Sequence, residues 1–242
     1  MSEERDPFKE KLGLISKFFM GFLIQFPILF LPAWTLKWTE GWVWIGLFLI
    51  YATALIVYLL KYDVELLKKR TTYKLPHQKW ERYILFGFFV TIGLVWVIPG
   101  LDYQFHWSKN TSSGLMSWTN ILWWVELLGI IGVVCALLIM YNVMKHNSFL
   151  ANTVEIQGKE THKVITSGPY RVIRHPMYAA FIILMLSVPL LLGSYYALIP
   201  GLLTGVLFVF RTIFEDKMLH EELQGYPEYA QKTRCKLIPG IW

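Results

Sequence analysis

The densest group of residues that could do chemistry lies in segment 166–178, which carries cations, aromatic rings and two prolines between apolar regions. Pro176 suits the first position of a helix, so His175 should precede a helix N-terminus, where backbone N–H groups and the helix dipole can hold an anion. Arg174 adds a permanent, fork-shaped cation. The tyrosines add flat faces that can pack on a nucleobase or a sulfonium. The segment therefore predicts a ligand site, with a basic loop facing anionic lipid as the alternative.

A second candidate pair consists of Arg211 and Glu215, which are four residues apart and would share one face of a helix. A simple helical salt bridge is one interpretation, although arginine before glutamate is the less favourable order for it. The pair also follows a long apolar stretch, where ionisable groups are often functional. Glu215 could accept from a ligand ammonium, and Arg211 could bind a carboxylate or a phosphate. From these two residues alone both interpretations stay open.

The elements that must position these residues are membrane helices. Of the 242 residues, 55% are hydrophobic and 17% are charged, and the mean hydropathy is +0.43. These values are typical of an integral membrane protein. The net charge of +6 could indicate a nucleic-acid partner, but the cations collect beside the apolar runs, which favours a membrane and no nucleic acid. The first residues lack the cleavage pattern of a secretory signal peptide.

Four apolar runs have about the 20 residues that a helix needs to cross a bilayer. They predict transmembrane helices at about residues 12–34, 41–60, 83–99 and 121–144. Lysine and arginine crowd the segments 61–82 and 145–177 that flank these runs. By the positive-inside rule, both crowded segments, both termini and the candidate site are expected on the cytoplasmic side.

The stretch 178–210 is too long for one crossing and slightly short for two. Gly193 and Ser194 interrupt it, as do Pro200 and Gly201, which predicts a helical hairpin that turns near the far face. A single bent span is the alternative. Beyond the hairpin, an amphipathic helix should continue out of the membrane and end at Gly225.

Several common fingerprints are absent from the sequence. There is no cysteine and histidine cluster and no His-Glu-x-x-His motif, so no metal is predicted. Dinucleotide-binding glycine motifs, phosphate loops and the Gly-x-Ser-x-Gly motif are also missing. His162, before a short β-prone run, is by itself more typical of a structural or exposed histidine than of a catalytic one.

The combined motifs resemble the isoprenylcysteine carboxyl methyltransferase-like family, which belongs with the membrane phospholipid methyltransferases. The resemblance covers about residues 140–242 and is specific as a combination, while each part alone is weak. Its residues are Asn147-Ser-Phe149, Gln157, His162-Lys-Val-Ile165, Gly168-Pro-Tyr170, Arg174-His-Pro-Met-Tyr178, Arg211-x-x-x-Glu215 and Gly225-Tyr226.

The resemblance implies S-adenosyl-L-methionine-dependent methyl transfer to a lipidic or small hydrophobic acceptor, such as a prenylated cysteine carboxylate, a phospholipid amine or a thiol. It implies catalytic roles for Arg211, which would face the acceptor, and for Glu215. An amine acceptor must lose a proton, and Glu215 is the obvious candidate to receive it. The implied cofactor-binding residues are Gln157, His162, Lys163, Val164, Ile165, Tyr170, Arg174, His175, Pro176, Met177, Tyr178 and Glu215.

The chain also departs from the family pattern at two positions. Asp216 stands where a second glutamate is usual, and Ala180 stands where glycine is common. These departures leave the implied cofactor site unchanged. They concern the assignment of the methyl acceptor.

The sequence therefore predicts an all-α integral membrane enzyme of about four transmembrane helices plus a C-terminal helical hairpin. Transmembrane helices would occupy residues 1–144, and a catalytic core would occupy residues 145–242. Two alternatives remain. A membrane NADPH-dependent reductase of the sterol-reductase type has a similar C-terminal Arg-His element. A non-enzymatic lipid-binding or transport protein would be favoured by charges buried within several spans.

Overall fold

The structure, a computed structural model, describes residues 7–72, 78–108, 119–150 and 164–242. Within these ranges the chain is helical and contains no strand. The α-helices of this described part are α1 (Pro7–Ala33), α2 (Thr39–Tyr62), α3 (Val64–Thr71), α4 (Lys79–Phe105), α5 (Thr119–His146), α6 (Pro176–Leu191), α7 (Leu198–Glu222) and α8 (Tyr226–Lys232). A 3₁₀ turn, Gly168–Arg171, precedes α6.

Five of the described helices are long and apolar enough to cross a membrane: α1, α2, α4, α5 and α7. The four predicted N-terminal spans are therefore confirmed, and the chain is a multi-pass membrane protein. The third helix is longer than the predicted span, because α4 extends from Lys79 through Pro99 to Phe105. His106, with φ of 55°, adopts the left-handed conformation that ends it.

The predicted hairpin is present as α6 and α7. The chain reverses at Gly193, whose φ of +69° lies in a region that side chains other than glycine rarely adopt. Pro200 was expected to interrupt the apolar stretch, but it does not, because it lies in the first turn of α7, where proline is tolerated. A Cβ atom on Gly201 would lie 2.5 Å from the Met185 carbonyl oxygen, so α6 and α7 pack closely beside the turn. With 16 residues, α6 is about 24 Å long and shorter than an ordinary span.

Helix α4 contacts the hairpin along its whole length. At the far end, Asp102 accepts a hydrogen bond of 2.5 Å from the Ser194 hydroxyl beside the hairpin turn. In the middle, the Thr204 hydroxyl donates to the Thr91 hydroxyl at 2.9 Å. At the near end, Glu81 forms an ion pair with Arg211. These contacts fix the height of α7 against α4.

Helices α5 and α6 pack through small residues. A Cβ atom on Gly129 would lie 2.3 Å from the backbone nitrogen of Leu191, and one on Gly132 would lie 2.1 Å from the Ser187 hydroxyl oxygen. Such close approach is typical of helix pairs inside membranes. Because of this packing, the end of α5 lies beside the start of α6 and the 3₁₀ turn.

The last part of the chain folds back on the predicted ligand segment. Helix α7 ends at Glu222, close to the predicted end at Gly225, and the short helix α8 follows. The backbone amide of Arg174 donates to the Cys235 carbonyl at 3.0 Å, and that of His175 donates to the Lys236 carbonyl at 2.9 Å. The C-terminal segment thereby fixes the backbone just before α6.

Candidate active site

A cavity of about 370 Å³ lies between the near ends of α4, α6 and α7, with the end of α5, the 3₁₀ turn and α8 around it. This volume falls in the range of ligand-binding pockets. One part of its lining is polar and aromatic, and another part is apolar.

Residues predicted from two separate segments meet in this cavity. The predicted residues that line it are Val164, Ile165, Tyr170, Arg174, His175, Pro176, Met177, Tyr178, Arg211 and Glu215. The predicted residues Gln157, His162 and Lys163 lie outside the described residues. Val164 and Ile165, the described part of the β-prone run, form no strand. The residues of the two segments lie close together because the α6–α7 hairpin returns α7 to the end of the protein at which α6 begins.

His175 precedes α6 as predicted, but its environment differs from the expectation. The amides of Tyr178 and Ala179 both donate to the His175 carbonyl, and Pro176 has no N–H, so the first turn offers an anion fewer donors than expected. The buried imidazole instead lies with Nε2 at 3.3 Å from Asp216 Oδ1. A buried polar ring requires a partner, and Asp216 provides one.

Asp216 is the centre of a polar cluster that the sequence did not reveal. The Tyr226 hydroxyl donates to its Oδ1 at 2.8 Å. Arg174 Nε lies 3.4 Å from the same oxygen, and Lys236 Nζ lies 3.3 Å from Oδ2. The cluster joins α7 to the segment before α6, to α8 and to the C-terminal segment. Asp216 therefore holds together the polar wall of the cavity.

Glu215 and Arg211 lie on one face of α7, as their spacing predicted, but each has a partner on another helix. Tyr178, in the first turn of α6, donates its phenol hydrogen to Glu215 Oε2. Arg211 Nη2 donates to Glu81 Oε1 of α4 at 2.9 Å. The Arg211 guanidinium carbon also lies 5.4 Å from the centre of the Tyr178 ring, within the range of a cation–π contact.

Three buried tyrosines, Tyr170, Tyr226 and Tyr229, add neutral aromatic surface to the cavity. Burial raises the pKa of Tyr229 to about 12, and its hydroxyl donates to the Tyr170 carbonyl at 2.8 Å. Burial also raises the pKa of Tyr170, against the opposing effect of a hydrogen bond from Asn147. Burial, followed by the negative charge of Asp216, raises the pKa of Tyr226. All three phenols are therefore protonated near neutral pH.

The apolar part of the cavity extends between α4, α6 and α7. The ring centres of Phe88 and Phe208 are 4.3 Å apart, and those of Phe181 and Phe208 are 5.2 Å apart. Leu85 and Ile92 of α4 continue this lining. The cavity therefore suits a ligand, or a pair of ligands, with both polar and apolar parts.

The fold and the cavity define a class of protein: a multi-span helical membrane protein with an amphipathic cavity at one end of its helices. Residues 122–224 match the family described as Phospholipid methyltransferase. This region runs from α5 through α7 and contributes much of the cavity wall.

The curated relatives that the chain matches are named as methyltransferases. Over 118 residues the chain is 27% identical to a "Probable protein-S-isoprenylcysteine O-methyltransferase" from Oryza sativa subsp. indica, and the match covers 48% of this chain and 62% of the rice protein. Over 119 residues it is 24% identical to "Protein-S-isoprenylcysteine O-methyltransferase B" from Arabidopsis thaliana, covering 46% of this chain and 58% of the relative. The chain thus spans less than two thirds of the length of these relatives. The predicted resemblance to the isoprenylcysteine carboxyl methyltransferase-like and phospholipid methyltransferase group is confirmed.

Sequence reasoning missed several residues at the cavity. Arg70 of α3 and Tyr229 of α8 both line it, and burial lowers the pKa of Arg70. Glu81 was not singled out, although an acidic residue at the start of an apolar run is a detectable signal. Arg70 could not be told from its neighbouring cations, because nothing in the pattern shows which of them turns inward.

Proposed function

We propose that the chain is an S-adenosyl-L-methionine-dependent methyltransferase that acts on a lipidic or hydrophobic acceptor at the cytoplasmic face of a membrane. The observation that carries the proposal is that segment 164–178 and the Arg211/Glu215 face of α7 line one amphipathic cavity. The family match and the names of the relatives support the same reaction class.

The residues of the cavity fit the proposed cofactor. The polar wall combines the Glu215 carboxylate with the rings of Tyr170 and Tyr178, a set that suits a ligand bearing an ammonium, a sulfonium and a nucleobase. When bound, the cofactor would supply a methyl group carried on a sulfonium. Its proposed binding residues are those of segment 164–178 that line the cavity, together with Glu215 and with Gln157, His162 and Lys163.

The protein's part in this reaction would be positioning and the exclusion of water. Tyr178 fixes the orientation of Glu215 by donating to its Oε2 atom. Arg211 would face the acceptor from the same side of α7. If the acceptor is an amine, the Glu215 carboxylate would take the proton that the nitrogen must lose. A carboxylate or thiolate acceptor needs no such base.

The cytoplasmic placement rests on charge. The cavity adjoins the end of α5 that carries Lys145 and the helix α3, whose last turn contains Lys68, Lys69 and Arg70. Both segments are among the most cationic of the chain, and such segments favour the cytoplasmic side. The bilayer would lie along the apolar lining of α4 and α7, from which a hydrophobic acceptor could enter.

The first test is calorimetric titration of detergent-purified protein with S-adenosylhomocysteine, with NADPH in a parallel cell. We expect binding of S-adenosylhomocysteine with a Kd in the range of about 1–100 μM and no binding of NADPH. Transfer of a labelled methyl group to candidate lipid acceptors follows in the same preparation. Binding of NADPH alone would support the reductase. Binding of neither compound by folded protein would favour a lipid-binding protein, and either result would overturn the proposal.

A further inference from the structure

Glu81 is a charged residue of the cavity region that lies outside the family match. It stands in the first turn of α4, while the match begins at residue 122. Its exposed fraction is 0%, and its Oε1 atom accepts a hydrogen bond of 2.9 Å from Arg211 Nη2. The N-terminal half of the chain therefore supplies a partner to a residue that we place at the acceptor.

Helix stabilisation alone does not explain this position. An acidic residue in the first turn of a helix interacts favourably with the helix dipole. A solvent-exposed residue would gain the same interaction and keep its hydration, so the dipole does not explain why Glu81 is buried. Full burial of a carboxylate is unfavourable unless a well-placed cation compensates it. Arg211 is itself only 6% exposed, so the two charges depend on each other.

The guanidinium of Arg211 is part of the cavity wall. Its central carbon lies 6.0 Å from the ring centre of Phe88 and 5.4 Å from that of Tyr178, and both rings line the cavity. One face of the wall thus presents a cation whose charge is already opposed by Glu81. Glu215 lies one helical turn further along the same face.

The charges of this wall can be counted from these contacts. Glu81 opposes the charge of Arg211, and Glu215 places a negative charge beside this pair on α7. Arg70 and Arg174 also line the cavity, and Arg174 is itself opposed by Asp216, whose Oδ1 lies 3.4 Å from its Nε. An anionic acceptor that approached Arg211 would compete with the buried Glu81 and would meet Glu215.

We propose that Glu81 is a specificity-determining residue: by neutralising Arg211, it makes this wall favour an acceptor with an amine head group over one with a free carboxylate. The inference rests on the proposed function and narrows its acceptor class. An amine, in its ammonium form, would find the Glu215 carboxylate without displacing any ion pair. A carboxylate would have to share Arg211 with Glu81, which already offsets its charge.

Two acceptor analogues with the same apolar tail test this proposal: S-farnesylcysteamine, which ends in an amine, and N-acetyl-S-farnesylcysteine, which ends in a carboxylate. Their binding to the full chain in nanodiscs is measured by intrinsic tryptophan fluorescence, with empty nanodiscs as the blank for partition into lipid. Glu81→Gln removes the charge and keeps the shape. Asp102→Asn is the matched control, because Asp102 is a buried acid at the other end of the same helix.

We expect the wild-type protein to bind the amine at least about tenfold more tightly than the carboxylate. Glu81→Gln should shift this ratio towards the carboxylate by about tenfold or more, because Arg211 then lacks its counter-ion. Asp102→Asn should leave the ratio unchanged within about twofold, since distant sites are independent.

A double variant protects the test against misfolding. If Glu81→Gln alone does not fold, Glu81→Gln with Arg211→Gln leaves no unpaired charge of this pair, and it should keep the preference for the amine through Glu215. The proposal is overturned if the wild-type protein prefers the carboxylate or binds neither analogue, or if Glu81→Gln leaves the ratio unchanged. Binding of S-adenosylhomocysteine in the same samples tests the proposed function separately, and we expect Glu81→Gln and Asp102→Asn to retain it.

Discussion

Replacing Asp216 by asparagine would remove a negative charge on which several polar groups converge. Arg174 Nε and Lys236 Nζ lie 3.4 Å and 3.3 Å from its carboxylate oxygens. His175 Nε2 and the Tyr226 hydroxyl contact the same group at 3.3 Å and 2.8 Å. Asparagine keeps the size of the side chain but leaves two cations without their counter-ion.

The size of the effect follows from burial. Asp216 is 4% exposed, and breaking a buried ion pair by removing one partner costs about 3–5 kcal/mol. Because the side chain of Lys236 is 24% exposed and can turn to water, we expect the lower end of this range, about 3 kcal/mol. For a chain of 242 residues this corresponds to a fall in Tm of roughly 6–12 °C.

The assay is thermal unfolding of the purified protein in detergent, followed by intrinsic tryptophan fluorescence, with Asp102→Asn as the control. Asp102 is also buried, but it accepts hydrogen bonds from the hydroxyls of Ser108 and Ser194 instead of facing cations. Its replacement should cost less than that of Asp216, about 1.5–2 kcal/mol, because no cation loses its counter-ion. Equal falls in Tm for the two variants, or no fall for Asp216→Asn, would refute the reasoning that the convergent cations stabilise this end of the protein.

Three further predictions follow from the site and its supporting helices. Glu215→Gln should weaken binding of S-adenosylmethionine about tenfold more than that of S-adenosylhomocysteine, because only the former carries the sulfonium charge; equal losses in calorimetry would contradict this. The pKa of Tyr229 is raised to about 12 in the folded protein, so its stabilising contribution is present below about pH 10 and is lost as the pH rises towards 12; Tyr229→Phe should flatten the fall in Tm over that range, and an unchanged profile would count against it. Gly129→Ala should lower Tm by several degrees, because its Cβ atom would lie 2.3 Å from the backbone of Leu191, whereas Gly46→Ala, which meets nothing within 4 Å, should not.

The spans and the hairpin could be predicted because the bilayer restricts what an apolar run can become. A stretch of about 20 apolar residues must form a helix in lipid, so length and hydropathy decide the element. The hairpin at Gly193 followed from the same argument. The end of α4 did not, because Pro99 is a helix breaker in most contexts yet is accommodated within this helix.

The short helices outside the bilayer could not be predicted. Helices α3 and α8 contain eight and seven residues, below the length at which sequence alone stabilises a helix in water. Their stability comes from tertiary contacts such as the buried side chains of Leu66 and Leu67 in α3. Since α3 and α8 bring Arg70 and Tyr229 to the cavity, those two residues were missed with them.

The ion pair between Arg211 and Glu81 shows where prediction of the site from sequence spacing fails. The spacing of four residues identified Glu215 as a neighbour on the same helix face, and the physics of buried charge shows that such an arginine needs a counter-ion. The structure assigns Glu215 to Tyr178 and gives Arg211 a partner 130 residues away, on α4. No local pattern contains that partner, because it depends on how α4 and α7 align within the bundle. The motifs therefore indicate a reaction class, while the acceptor depends on contacts between the two halves of the chain, which is why the test of Glu81 bears on the acceptor and leaves the cofactor site intact.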